Sequence, residues 1–258
     1  MDYRRLIPNM CTSSNLVFGM CSILSTYSGN LVWGSIFILL ALVADGLDGR
    51  TARFFGVASE MGKEMDSLCD LGSFGIAPAF LAWAFVLHNH GILGIVVAIF
   101  FAICGMWRLA RFNVNASVVH GYFMGLAIPA GGNIVAMTTL LFTQLGVDPA
   151  VFGVSYPLLM AIVAYLMVSH LHYPNFKGDG GDKLYAAAKV LAALMFLAIL
   201  YAGRAALVPA VFVAIFSTYA AFGIVNSLLL MMIFLFMVYP PVIYPLVSLN
   251  RRFSPALC

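Results

Sequence analysis

Polar positions in this chain come in narrow bands separated by long apolar stretches. Crossing a hydrocarbon core of about 30 Å takes about 20 residues of helix, and several of the stretches reach that length. The pattern predicts a first span over about Ser13–Ser28, closed by a turn at Gly29-Asn30. A second runs over about Leu31–Phe55 and has Asp45 and Asp48 toward its end. A third begins near Ser59, holds Asp66 and Asp70 in its first three turns, and continues to about Leu87. His88–Gly91 reads as a short loop, and a fourth span over about Ile92–Phe112 ends in Arg108 and Arg111. A polar link, Asn113–His120, leads to a fifth span over about Tyr122–Leu145. After a loop at Gly146–Gly153, a sixth runs to about Ser169. His170–Lys183, with Pro174 and three glycines, is the longest polar stretch, and a seventh span covers about Leu184–Ala202. From Ala205 to Leu249 no charge occurs for 45 residues, which is too long for one straight crossing. Pro209 and Gly223 allow Ala205–Phe222 to lie kinked or partly re-entrant before a final span near Ile224–Leu246. The expected fold is therefore all-α: a polytopic integral membrane protein with about eight transmembrane helices and no internal repeat. Nine spans, with two crossings in Ala205–Leu249, is the alternative.

Composition agrees. Of the 258 residues, 63% are hydrophobic and 9% charged, and the mean hydropathy is +1.00; this is a membrane domain and not a soluble core. The net charge of +3, without any basic run, argues against a nucleic-acid partner. Cys11, Cys21, Cys69, Cys104 and Cys258 are scattered and odd in number, so they read as helix-packing residues and not as a disulfide or metal framework. No cleavable signal peptide is expected, because Arg4 and Arg5 lead into an apolar run without a small-residue cleavage site. Charge also orients the chain. Arg4, Arg5, Arg50, Arg53, Lys63, Arg108, Arg111, Lys177, Lys183, Arg251 and Arg252 fall on one side of the alternation, with Lys189 just inside that end of its helix and only Arg204 opposite. The positive-inside rule then puts both termini and the acidic band in the cytoplasm, in a cell (inner) membrane.

That acidic band is the chemically informative stretch. Six of the ten acidic residues lie between Asp45 and Asp70. Carboxylates at a membrane edge are costly and need a partner or a task. Asp45 and Asp48 stand at i, i+3, and Asp66 and Asp70 at i, i+4, so each pair shares a helix face. If the two helices are antiparallel neighbours joined at Phe54–Ala58, all four carboxylates converge on one pocket. Four hard oxygen donors without His or Cys suit Mg²⁺, Mn²⁺ or Ca²⁺ and not zinc. Gly49, Ala52 and Gly62 have little or no side chain and permit close approach of a ligand or of the other helix.

The pattern D-x-x-D-G-x-x-A-R-x8-G-x-x-x-D-x-x-x-D is matched at all eight fixed positions, Asp45 through Asp70. It resembles the signature of the CDP-alcohol phosphotransferase family of integral membrane enzymes. The resemblance covers roughly residues 6–183 and implies a six-helix core, with residues 184–258 as a C-terminal helical extension of the same membrane domain. Ile7–Asn15, Trp107–Val114 and Met167–Lys177 are similar to the branch of the family whose acceptor alcohol is L-serine. That resemblance implies transfer of the phosphatidyl group from CDP-diacylglycerol to the serine hydroxyl, with CMP leaving and Mg²⁺ or Mn²⁺, two ions, as cofactor. It further implies Asp45, Asp48, Asp66 and Asp70 as metal ligands and Asp70 as the general base. Gly49 and Arg53 would meet the nucleotide phosphates, and Ser59, Asn9 and Thr12 are further candidate contacts to the CDP-lipid. Arg108, Arg111 and Lys177 are the candidates for the serine or a phosphate. Membrane lipids and a second copy, as a homodimer, are the implied partners.

Plainer readings stand beside these. Ser59 is well placed to be an N-cap, and Arg108 and Arg111 to be interfacial anchors. Glu60 and Glu64 suit a solvated first turn. His170 and His172 suit loop roles, and Asp179–Asp182 a flexible turn. Other acceptors, namely glycerol phosphate, inositol phosphate or a second lipid, remain open, as does an archaeol-based donor. A cation transporter would place its acids near the bilayer midplane and show repeats or broken helices, features this sequence lacks.

Overall fold

The computed structural model describes residues 3–57, 59–115, 122–174, 209–221 and 224. The chain opens with helix α1, Tyr3–Tyr27, and turns at Gly29 (φ +80°) into α2, Leu31–Phe55. The turn is local chemistry: Asn30 caps α2 by accepting from the Trp33 amide. Gly56 ends α2 in the left-handed region at φ +63°, and the Gly56 and Val57 amides close back on the Arg53 and Ala52 carbonyls. Ser59 then caps α3, Glu60–Asp70, by accepting from the Gly62 amide at 3.1 Å. The link between the two acid-bearing helices thus falls where the sequence expects it.

After Asp70 the helix widens into a π segment, Leu71–Ile76, and resumes as α4, Ala77–Phe85. A π segment inserts a residue into the helical ladder and re-phases the turns beyond it. Asp66 and Asp70 consequently face the acidic pocket while Phe74, Ala77 and Leu81, all fully buried, face the core. The widened ladder also accommodates Pro78, which has no amide to give. A 3₁₀ turn, Leu87–His90, leads through Gly91 into α5, Gly91–Asn115. Then come α6, Ile128–Gln144, and α7, Ser155–Val168. α6 is the central helix, with every residue from Ala130 to Leu141 buried. It lies hard on the π segment: a Cβ at Gly132 would meet the Phe74 carbonyl oxygen at 2.6 Å.

Among the described residues the only strands are β1, Tyr122–Met124, and β2, His172–Pro174, paired antiparallel with Phe123 opposite Tyr173. The architecture is otherwise all-helical, as expected. The strands correct the expected fifth span, which begins as helix only at Ile128, because the two polar links flanking α6 and α7 satisfy each other's backbone. The first helix likewise starts ten residues before Ser13, at Tyr3.

Three helical runs are long and apolar enough to cross a membrane: Leu31–Phe55, Glu60–Phe85 and Leu87–Val114; Ser155–Val168 and the helix Pro209–Ala221, here α8, are shorter and apolar. With the outward-facing Leu16, Val17, Met20 and Leu24 on α1 and Ile92, Val96, Ile99 and Ile103 on α5, this is a multi-pass membrane protein. The seventh span, Leu184–Ala202, and the expected final span lie outside the described residues, apart from Ile224.

Candidate active site

Four elements meet at the acidic band. α1 packs along the length of α2 and also against α3 and the π segment, whereas α2 and α3 scarcely touch. The expected close pairing of α2 with α3 is therefore a splay, and the space it opens is a cleft of about 420 Å³. Asp48, Asp66, Gly49, Arg53 and Ser59 line it from α2 and α3, and Asn9 and Thr12 from α1. Every residue singled out in the sequence as a contact to the CDP-lipid reaches this one cleft. No atom lies within 4 Å of a Cβ built on Gly49, so a side chain there would occupy the cleft itself. Arg53 is exposed, its Nε donating to the Gly49 carbonyl at 2.8 Å. Lys63, to which the sequence alone assigns no role, is a second cation lining the cleft.

The carboxylates converge. One oxygen each of Asp45, Asp48 and Asp66 lies within 4.8 Å of the others. Asp70 sits one turn further along α3 and is 7% exposed. Two side chains of α1 reach into this group. Thr12 Oγ1 lies 2.7 Å from Asp48 Oδ2 and 3.1 Å from the Pro8 carbonyl. Its single proton goes to the carboxylate, the charged and nearer acceptor. Asn15 Nδ2 donates to Asp70 Oδ1 at 3.0 Å. Among the described residues no ion pair neutralises any of the four. Arg108, buried on α5, is close enough to act electrostatically on Asp70 and Asp45; its Nε has no hydrogen-bond partner, and its guanidinium lies 5.1 Å from the Phe112 ring.

Like charges this close in a poorly solvated pocket repel strongly. Asp66 Oδ1 is moreover buried without any hydrogen-bond partner. Three converging hard oxygens, with no His or Cys in the cluster, fit a hard divalent cation.

One candidate is not among the residues lining the cleft. Arg111 is committed elsewhere: Nη1 donates to Val168 O (2.6 Å), and Nη2 points at the carbonyls of Ser169 (3.0 Å), Met124 (3.2 Å) and Met167 (3.2 Å). It ties the end of α7 to β1. Lys177 lies outside the described residues, as do Asp179–Asp182. Glu64, expected to be merely solvated, accepts from Asn113 Nδ2 at 3.2 Å, and Asn113 also bonds Ser67, joining α3 to the end of α5. Asn15 has no role assigned to it by the sequence. The available signal was its place at i+3 from Thr12, on the same face of α1.

The structure shows a multi-pass helical membrane protein with an acidic cluster beside a cleft, and similarity to known proteins gives it a family. The family model described as CDP-alcohol phosphatidyltransferase matches residues 5–169; the chain belongs to that family. A protein of Helicobacter pylori (strain ATCC 700392 / 26695), named CDP-diacylglycerol–serine O-phosphatidyltransferase, is 34% identical over 233 residues, spanning 90% of this chain and 94% of the relative. A Bacillus subtilis (strain 168) protein of the same name is 35% identical over 182 residues, 69% of this chain and 95% of the relative. A Methanothermobacter thermautotrophicus protein named archaetidylserine synthase is 35% identical over 178 residues, 68% of this chain and 72% of the relative.

Proposed function

We propose that this protein transfers the phosphatidyl group of CDP-diacylglycerol to the hydroxyl of L-serine, forming phosphatidylserine and releasing CMP. The observation that carries the reading is the cleft, where Asp48 and Asp66 of the three-carboxylate cluster share one lining with the cations Arg53 and Lys63 and with Gly49 and Gly62. Relatives named for this reaction, similar over up to 90% of the chain, support the choice of donor and acceptor. Asn9 and Thr12 at the start of α1 face the nucleotide, and Gly49 leaves room for the pyrophosphate. Arg53 and Lys63 oppose its charge, as phosphate recognition requires. The acyl chains leave sideways between helices into the bilayer, so the site belongs at the membrane edge, and the arginine and lysine distribution puts that edge in the cytoplasm.

Asp45, Asp48 and Asp66, with Asp70 at the rear, would hold two divalent ions, Mg²⁺ or Mn²⁺. When bound, such ions neutralise a pyrophosphate and stabilise the departing oxygen. The chain's own part is positional and acid–base. Asp70, buried one turn beyond Asp66 on α3, takes the proton of the serine hydroxyl as that oxygen forms its bond to the β-phosphorus of the donor and the bond to CMP breaks. Arg108, the buried cation nearest Asp70, faces the serine carboxylate. A homodimer, as the family resemblance implies, belongs to this reading.

An acceptor screen tests it. Purified protein with CDP-diacylglycerol and divalent metal is offered serine, glycerol phosphate and inositol phosphate separately, and CMP release is measured. CMP is expected with serine alone; release with a phosphorylated acceptor and not with serine overturns the assignment. Because one relative is named archaetidylserine synthase, CDP-archaeol is run as a second donor.

A further inference from the structure

We propose that Asn15 is a positioning residue that orients Asp70 for proton abstraction, and that Gly19 and Ser73 hold it in place. The inference rests on the reading of Asp70 as the base and adds to it a residue from a different helix. Asn15 is completely buried, in the middle of α1, and its amide nitrogen reaches Asp70 Oδ1 across 55 residues of sequence. A carboxylate can turn about its terminal bond, and a base works only when the oxygen that takes the proton faces the alcohol. With Oδ1 held by an N–H donor, Oδ2 is the oxygen left to take the proton.

Asn15 is itself anchored. Ser73, in the π segment three residues after Asp70, donates from Oγ to the Asn15 backbone carbonyl at 2.8 Å. That bond is possible because α1 lies almost on the π segment. At Gly19, one turn on from Asn15, an added Cβ would stand 2.5 Å from Ser73 Oγ and 2.9 Å from Ser73 Cα. The second contact is backbone, so a methyl group there forces the helices apart. The π segment thus does two things at once: it brings Ser73 round onto α1, and it keeps Asp70 and Asn15 at hydrogen-bond distance.

Asn15→Leu keeps the branching of the side chain and removes the donor. Hydrogen bonds to charged groups are worth enough to lower kcat by about 10- to 100-fold. Equilibrium binding of CDP-diacylglycerol is expected to stay within about twofold of the parent, because Asn15 is not among the residues lining the cleft. Gly19→Ala is expected to give the same split in weaker form. The decisive arm is a cycle with Asp70→Ala, read by single-turnover CMP release at saturating serine: once Asp70 is gone, Asn15→Leu should remove no further activity. If Asn15→Leu does not accumulate in the membrane, Asn15→Ser, too short to reach Asp70, carries the same comparison. A parental kcat in Asn15→Leu, a loss expressed in donor affinity, or a full additional loss on top of Asp70→Ala would each overturn the proposal. Failure of the base reading is distinguishable, since Asp70→Ala alone would then retain turnover.

Discussion

Replacing Arg111 by methionine separates a structural clamp from a substrate contact. The guanidinium has four N–H groups on its two terminal nitrogens, and the carbonyls of Val168, Ser169, Met124 and Met167 stand 2.6, 3.0, 3.2 and 3.2 Å away. Three of those carbonyls lie in Nη2's half of the fork, which has two protons, so about three full bonds form and the rest is shared. At about 1 kcal/mol net for each bond, and with the last carbonyls of α7 left without an intrahelical partner, the loss comes to about 2–4 kcal/mol. That is a large part of the usual margin of stability and corresponds to a drop in Tm on the order of 10 °C. Gly125, at φ +76°, is built into the same joint: a Cβ there would stand 2.7 Å from Arg111 Nη2. The assay is thermal unfolding of the detergent-purified variant, paired with kcat and serine KM below its transition. Arg111→Met is expected to lower Tm while leaving serine KM within about twofold, and Arg111→Lys, with one compact donor group in place of a fork, to fall between. A serine KM raised tenfold with Tm unchanged would refute the clamp and return Arg111 to the substrate.

Further expectations concern the acid cluster and the topology. Asp45→Asn, Asp48→Asn and Asp66→Asn should each nearly abolish transfer and weaken Mn²⁺ binding measured directly by calorimetry; robust turnover in excess chelator would contradict the metal assignment. Thr12→Val keeps shape but removes the 2.7 Å bond to Asp48, so the metal concentration giving half-maximal activity should rise about 10-fold; an unchanged metal titration with a raised donor KM would make Thr12 a nucleotide contact only. A reporter inserted at Asn89 should read external, and reporters at Gly180 and after Arg252 cytoplasmic. An external reading after Arg252 would mean an even number of crossings between Ala205 and Leu249.

What the sequence determined alone was whatever depends on neighbours a few residues apart. Composition and the length of the apolar runs settle the membrane class, since the bilayer fixes how much helix is needed. The i, i+3 and i, i+4 spacing of Asp45, Asp48, Asp66 and Asp70 puts each pair on one face, since helix geometry leaves no other choice. The link between the two acid-bearing helices, at Phe54–Ala58, and the Ser59 cap were legible for the same local reason. Other features were decided only by packing. Arg108 and Arg111 look alike on α5, one turn apart, yet one is buried within electrostatic reach of Asp70 and the other donates to carbonyls at the end of a helix some 57 residues away. The cleft exists because α2 and α3 splay around α1, and no periodicity within either helix records that angle. The π segment after Asp70, and with it the meeting of Ser73 with Asn15, depends on how closely α1 and α6 approach there. A side chain's face is set by its own helix, whereas its partner is set by which other helix arrives opposite, and that is a property of the whole bundle.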